Sequence, residues 1–176
     1  LEAFVTTAIE ERWIEAENRS KKSAAAFCAG FPMSEESRVF MTYDGTMKGV
    51  LTLAHELGHA FHNTAMNGVA GLNRQYPLCI AETASFFAEM IVLDAAIEAA
   101  MTKSEKITLL DEKLKRSVMN FMNIHSRFLF EQNFYEERKK GLVSAQRLNE
   151  LMQEAILDGY RESLDNVSVH TWLWTP

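Results

Sequence analysis

The chain has 176 residues, 47% of them hydrophobic, which suffices to bury a core and fits one domain or a large piece of one. Its net charge of −6, with basic residues dispersed apart from short groups such as Lys21-Lys22 and Arg138-Lys139-Lys140, gives no electrostatic footprint for a phosphate backbone and excludes nucleic acid as an expected partner. The most apolar region, residues 79–101, is broken by Glu82, Glu89, Asp94 and Glu98, and the N-terminus lacks a basic stretch leading into an apolar run, so neither membrane span nor signal peptide is expected, while two cysteines, Cys28 and Cys79, point to a reducing, cytoplasmic setting.

Residues 3–16 read as the end of an amphipathic helix, with Phe4, Ile9, Trp13 and Ile14 near helical spacing. A polar run follows, then Ala24-Ala25-Ala26-Phe27-Cys28, where extended structure is expected, and Gly30 and Pro32 mark a loop. Val39-Phe40-Met41-Thr42-Tyr43, β-branched and aromatic and ended by Asp44-Gly45, predicts a strand. Thr46 then caps a helix in which Val50, Leu53, Leu57 and Phe61 recur at helical spacing to about Met66. A loop with Gly68, Gly71 and Pro77 leads to a second helix over about 78–101, and further helices are expected near 104–138 and 144–163. The expected fold is mainly α, with a small β element before the helix that carries the motif described next.

His55-Glu56-Leu57-Gly58-His59 places two imidazoles at i and i+4, on one helix face about one turn apart, where both reach a single zinc ion. Glu56 beside them is placed to take a proton from a zinc-bound water, whose pKa the metal lowers to about 7, and to pass it to the leaving amine. A metzincin needs Gly at 62 and His at 65, and His62 and Ala65 stand there instead. His62 lies about 10 Å along the axis from His55 and is expected to pack locally.

Glu82, on the next helix, is the expected third ligand. A carboxylate among Ile80, Ala81, Ala84, Phe86 and Phe87 is expensive to bury as a free ion, and a metal neutralises it; the alternative is a solvated glutamate. Glu89 follows by seven residues on the same face, placed to accept the second N–H of a ligand histidine, with a plain surface charge as its alternative, and Ser85 lies on the same side. Asp94 and Glu98 read as solvated. His125, in an aromatic and methionine-rich stretch, reads as a core histidine without a role.

Glu17-Asn18-Arg19, Phe27-Cys28, Phe31-Pro32, Gly45-Thr46, residues 52–60 with His62, residues 81–90 and residues 128–138 resemble the oligoendopeptidase F branch of the thimet oligopeptidase family of zinc metallopeptidases, which are gluzincins. The resemblance implies a helical zincin catalytic domain enclosing a channel that admits short unfolded peptides, and hydrolysis of peptide bonds in oligopeptides. It also implies one zinc ion on His55, His59 and Glu82, Glu56 as base, and a 38–43 strand whose edge pairs with the substrate backbone, putting Phe40, Met41 and Thr42 beside it.

This chain departs from the branch at Ala25 and Ala26, where glycines are common, and at Gly49, where an acidic residue is common. After a Trp-containing segment like residues 172–176 the family continues into histidines and tyrosines near the substrate carbonyl. Residues 1–176 are therefore expected to be one partial catalytic domain of a longer metallopeptidase, truncated at both ends. Loss of one oxyanion donor costs about 10²- to 10³-fold in rate, so the fragment is expected to bind zinc better than it cleaves. The competing readings are a non-catalytic zinc-binding helical fragment or paralogue, and a gluzincin exopeptidase. Oligomeric state is not legible in the sequence.

Overall fold

The computed structural model describes residues 1–23 and 25–169. Ala24 and the Trp-containing segment 172–176 lie outside the described residues. The chain divides into two compact units, Leu1–Lys106 and the residues from Ile107 onward. It is mainly α, with one small sheet, and among the described residues no helix is long and apolar enough to cross a membrane.

The first unit opens with α1 (Glu2–Glu10), shorter than the expected 3–16. The helix stops because Arg12 takes a left-handed conformation, φ 56°, and the buried Trp13 redirects the chain. Ile14–Glu15 then forms β1, a short parallel partner of β3. β2 (Phe27–Phe31) and β3 (Glu36–Phe40) form an antiparallel hairpin. In β3 the buried Ser37 and Val39 alternate with half-buried Glu36, Arg38 and Phe40, the period of two that a strand requires.

The strand expected at 39–43 thus begins at Glu36, and the sheet order β1-β3-β2 makes it central rather than an edge. One side of β3 is taken by Ile14 and Glu15 and the other by residues 27–31; beyond it the Met41 and Tyr43 N–H groups donate to the Glu15 and Ala16 carbonyls (3.0 and 3.1 Å). The expectation of a free edge along 38–43 is corrected by this pairing: the exposed edge beside β3's hairpin belongs to β2.

Gly45, φ 75°, turns the chain into α2 (Met47–Ala65). The Thr46 hydroxyl caps it by accepting from the Gly49 N–H (3.1 Å), and Asp44 Oδ1 in turn accepts from Thr46 N–H and Oγ1–H. A 3-10 turn, Gly71–Arg74, leads to α3 (Leu78–Ala99). α2 and α3 approach so closely that a Cβ at Gly58 would sit 2.9 Å from the Ala84 carbonyl oxygen, the Ala88 Cβ and the Ser85 Cα. Only glycine permits that contact, which outweighs the roughly 1 kcal/mol that glycine costs inside a helix.

The second unit contains most of α4 (Lys103–Val118), then a π turn (Met119–Asn123), α5 (Ile124–Arg138) and α6 (Ala145–Gly159). Its core is Phe130 from α5 against Leu151, Met152, Ala155 and Ile156 from α6. Gly159 lies against Ser126, where a Cβ would overlap the serine side chain. His125, expected in the core, is exposed, because the buried face of α5 is set by Ser126 and Phe130 one position later.

Candidate metal centre

α2 presents His55, Glu56 and His59, and α3 presents Glu82, Ser85 and Glu89 across the Gly58 contact. His55 Nε2 lies 3.2 Å from His59 Nε2 and 3.2 Å from Glu82 Oε2, and His59 Nε2 lies 3.7 Å from the same oxygen. Ligands about 2.0–2.1 Å from a tetrahedral zinc stand about 3.3 Å apart, so this triangle fits one ion. Hydrogen atoms alone satisfy it poorly, since two imidazole nitrogens and a carboxylate oxygen all point at one spot. Among the described residues it is the one group of three or more His, Cys, Asp or Glu side chains with this geometry.

Two further groups fix the triangle. His55 Nδ1–H donates to Glu89 Oε1 at 2.6 Å, which leaves the lone pair on Nε2, facing the other donors. Ser85 Oγ, fully buried, donates to Glu82 Oε2 at 2.8 Å and also reaches the Glu82 carbonyl at 3.0 Å. The Phe86 ring stands edge-on to His55, centroids 5.6 Å apart, and limits its tilt. Glu89 is 3% exposed and Glu56 5% exposed, while the Glu82 side chain keeps 40% of its surface open to solvent, so two buried carboxylates and one half-exposed one surround the two imidazoles.

The titration behaviour follows from that arrangement. Burial raises the pKa of Glu56; His55 opposes the shift, and Glu82 and Glu89 add to it. For His55, burial disfavours the charged ring, but the hydrogen bond and charge of Glu89, with Glu56 and Glu82, prevail and raise its pKa. His59 is shifted down, by burial first and despite Glu82. Cys28, on β2, is pushed up to about 11 by burial first and then by the charge of Glu56, while a hydrogen bond with Ser37 opposes the shift.

His62 packs locally, its ring 4.5 Å from that of Tyr76 and its Nδ1 buried without a hydrogen-bond partner among the described residues. Phe40, Met41 and Thr42 are engaged within the sheet region. Phe40 stacks on Phe27 at 5.2 Å with the Lys22 ammonium over its ring, Met41 is buried with its carbonyl accepting from Lys22 Nζ, and Thr42 Oγ1 donates to the Ser23 carbonyl. Asp94 and Glu98 are exposed. Sequence reasoning missed Gly58, whose signal is a glycine inside an otherwise strong helix, and it missed the Glu56 charge acting on Cys28, which has no local signal.

A His-Glu-x-x-His helix faced by a glutamate from the following helix forms a donor group that could hold one metal ion. The chain belongs to peptidase family M3, which matches residues 2–170. It is 30% identical over 155 residues to the chromosomal oligoendopeptidase F of Lactococcus lactis subsp. cremoris, and 29% identical over 155 residues to an oligoendopeptidase F homolog of Lactococcus lactis subsp. lactis (strain IL1403). Each match covers 85% of this chain and 25% of the relative, so the chain spans about a quarter of the length of the curated relatives it matches. Its fold is similar to that of a candidate peptidase from Chlamydophila abortus, solved by crystallography: TM-score 0.74, 23% identity, 98% of this chain and 29% of that one.

Proposed function

We propose that the chain carries the metal centre of a zinc metalloendopeptidase that hydrolyses short oligopeptides in the cytoplasm. The observation that carries this reading is the donor triangle of His55, His59 and Glu82, with separations of 3.2, 3.2 and 3.7 Å and with Glu89 and Ser85 bonded behind it. His55, His59 and Glu82 would hold a zinc ion, which when bound would supply a Lewis acid for the scissile carbonyl and would lower the pKa of water to about 7.

The remaining roles belong to the chain. Glu56 takes the proton of the attacking water on a carboxylate oxygen and returns it to the leaving nitrogen. Glu89 keeps His55 in the Nδ1–H tautomer, and Ser85 holds one Glu82 oxygen in place. The peptide backbone pairs along the outer edge of β2 rather than along β3, because β2 is an edge and its Cys28 senses the Glu56 charge. Such pairing reads backbone and suits substrates of many sequences.

The test is metal content together with hydrolysis of an internally quenched, end-blocked peptide, for this chain, a C-terminally extended chain, and Glu56→Gln in each. One zinc per chain in all four, with cleavage by extended wild type and none by Glu56→Gln, supports the reading. Cleavage that survives Glu56→Gln would contradict the role of the base, and cleavage only of peptides with a free end would make the protein an exopeptidase.

A further inference from the structure

The geometry points to a subsite for a peptide carboxylate at the far end of β2, built on Arg74. This rests on the peptidase reading above and adds what the site selects. A cavity of about 530 Å³ opens between the end of β2, the last turns of α2 and the loop before α3, lined among others by Gly30, Ser37, Asn63, Arg74 and Tyr76. Asn63 is four residues beyond His59, so the cavity starts about 6 Å along α2 from the metal ligands. An extended peptide advances about 3.4 Å per residue, and a chain lying along β2 reaches the cavity roughly two residues from the bond being cut.

One wall of the cavity is already bonded. Asn63 Nδ2 donates to Ser37 Oγ at 3.2 Å, and Tyr76 O–H donates to Asn63 Oδ1 at 3.5 Å. Gly30 lets β2 ride over this wall, since a Cβ there would come 2.8 Å from Asn63 Nδ2. Arg74 is different. It is half-buried and anchored by one hydrogen bond, Nε–H to the Val69 carbonyl at 2.8 Å, and it forms no ion pair among the described residues. Its two terminal NH2 groups remain open.

The acids on the same rim do not neutralise Arg74. Glu36 is held by Arg38 at 2.7 Å, and Glu35 is exposed, on a left-handed turn residue with φ 57°. A guanidinium fixed through Nε and facing an open cavity is matched by a carboxylate, which accepts from a planar fork of N–H groups. That carboxylate belongs either to an Asp or Glu side chain of the substrate or to its free C-terminus.

Equilibrium binding separates these sources without relying on turnover. The zinc-loaded Glu56→Gln chain is titrated with N-terminally labelled hexapeptides of one neutral sequence: amidated, with a free C-terminal carboxylate, and amidated with one Glu in the N-terminal half. One carboxylate peptide binds about tenfold more tightly than the neutral amide, the scale of one charged hydrogen-bonded pair. That advantage disappears in Arg74→Gln, returns in part in Arg74→Lys, and grows in Glu35→Gln, which removes an opposing charge. Which peptide gains identifies the source.

Because Arg74 also holds the Val69 carbonyl, melting temperatures accompany each variant, and Glu35→Gln carries the test if Arg74→Gln unfolds. Equal binding of all three peptides overturns the subsite and leaves the peptidase reading standing. So does an advantage that survives Arg74→Gln and ignores Glu35→Gln. Failure of every peptide to bind overturns both.

Discussion

Two helix pairs in this chain use the same packing device for opposite ends. α2 meets α3 through Gly58, and α5 meets α6 through Gly159 against Ser126. What each contact buries differs. The buried face of α6 is Leu151, Met152, Ala155 and Ile156, whereas the buried residues of α3 are Ser85, Glu89 and Leu93. An apolar face stabilises in proportion to the area it removes from water, while a buried carboxylate costs free energy unless it is bonded or neutralised. Glu89 is bonded to His55, and Glu82 and Ser85 to each other. The α2–α3 contact therefore gives up apolar burial for a constellation whose His55, His59 and Glu82 donors converge on one point, and the α6 face gives up none.

Substitutions can break this contrast. Leu151→Ala, in the fully buried apolar face, is expected to lower stability by about 2–5 kcal/mol in chemical denaturation while zinc affinity, measured by competition with a chromogenic chelator, stays unchanged. Gly58→Ala is expected to cost about 1–3 kcal/mol because the new methyl meets the Ala84 backbone, and also to weaken zinc binding, since α3 must move and takes Glu82 with it. If Gly58→Ala left zinc affinity intact, the close approach would not be what positions the third ligand.

Smaller effects sharpen it. Glu89→Gln is expected to reduce zinc affinity by about 10- to 100-fold with little change in fold, read by the same chelator competition and by circular dichroism. A change under twofold would assign Glu89 a purely structural place. The two cysteines supply a pH test. Alkylation requires the thiolate, so the half-buried Cys28, with its pKa at about 11, is expected to react more slowly than the exposed Cys79 at pH 8. The Cys28 rate should climb nearly tenfold per pH unit until it levels off near 11, as measured by mass spectrometry of iodoacetamide adducts. Glu56→Gln should raise that rate at pH 8, because one charge opposing the thiolate is gone.

The same contrast explains what could be read in advance. His55, Glu56 and His59 are local: the helix period alone puts the two histidines on one face with Glu56 about a quarter-turn beside His55, and Glu82, Ser85 and Glu89 follow from the i, i+3 and i+7 spacing of the next helix. The helices were legible for the same reason, apart from the π turn at Met119–Asn123 inside the expected 104–138 segment. The sheet was not. β1 is only Ile14–Glu15, and two residues following an amphipathic run carry no period of their own. The polar Glu36-Ser37-Arg38 start of β3 hid its boundary, and its central place depends on the distant Ile14–Glu15 pairing on one side as well as on the neighbouring β2 on the other. Strand order is not written in a strand's own residues, so the sequence offers Phe40, Met41 and Thr42 as a free edge where the sheet order makes β3 central.

The most direct test of the account is X-ray absorption at the zinc edge of the stoichiometrically loaded chain. The account predicts light nitrogen or oxygen ligands at about 2.0–2.1 Å with the multiple scattering of two imidazoles, and weaker zinc loading in Glu82→Ala. A sulfur ligand, three imidazoles, or failure to load one zinc per chain would contradict it.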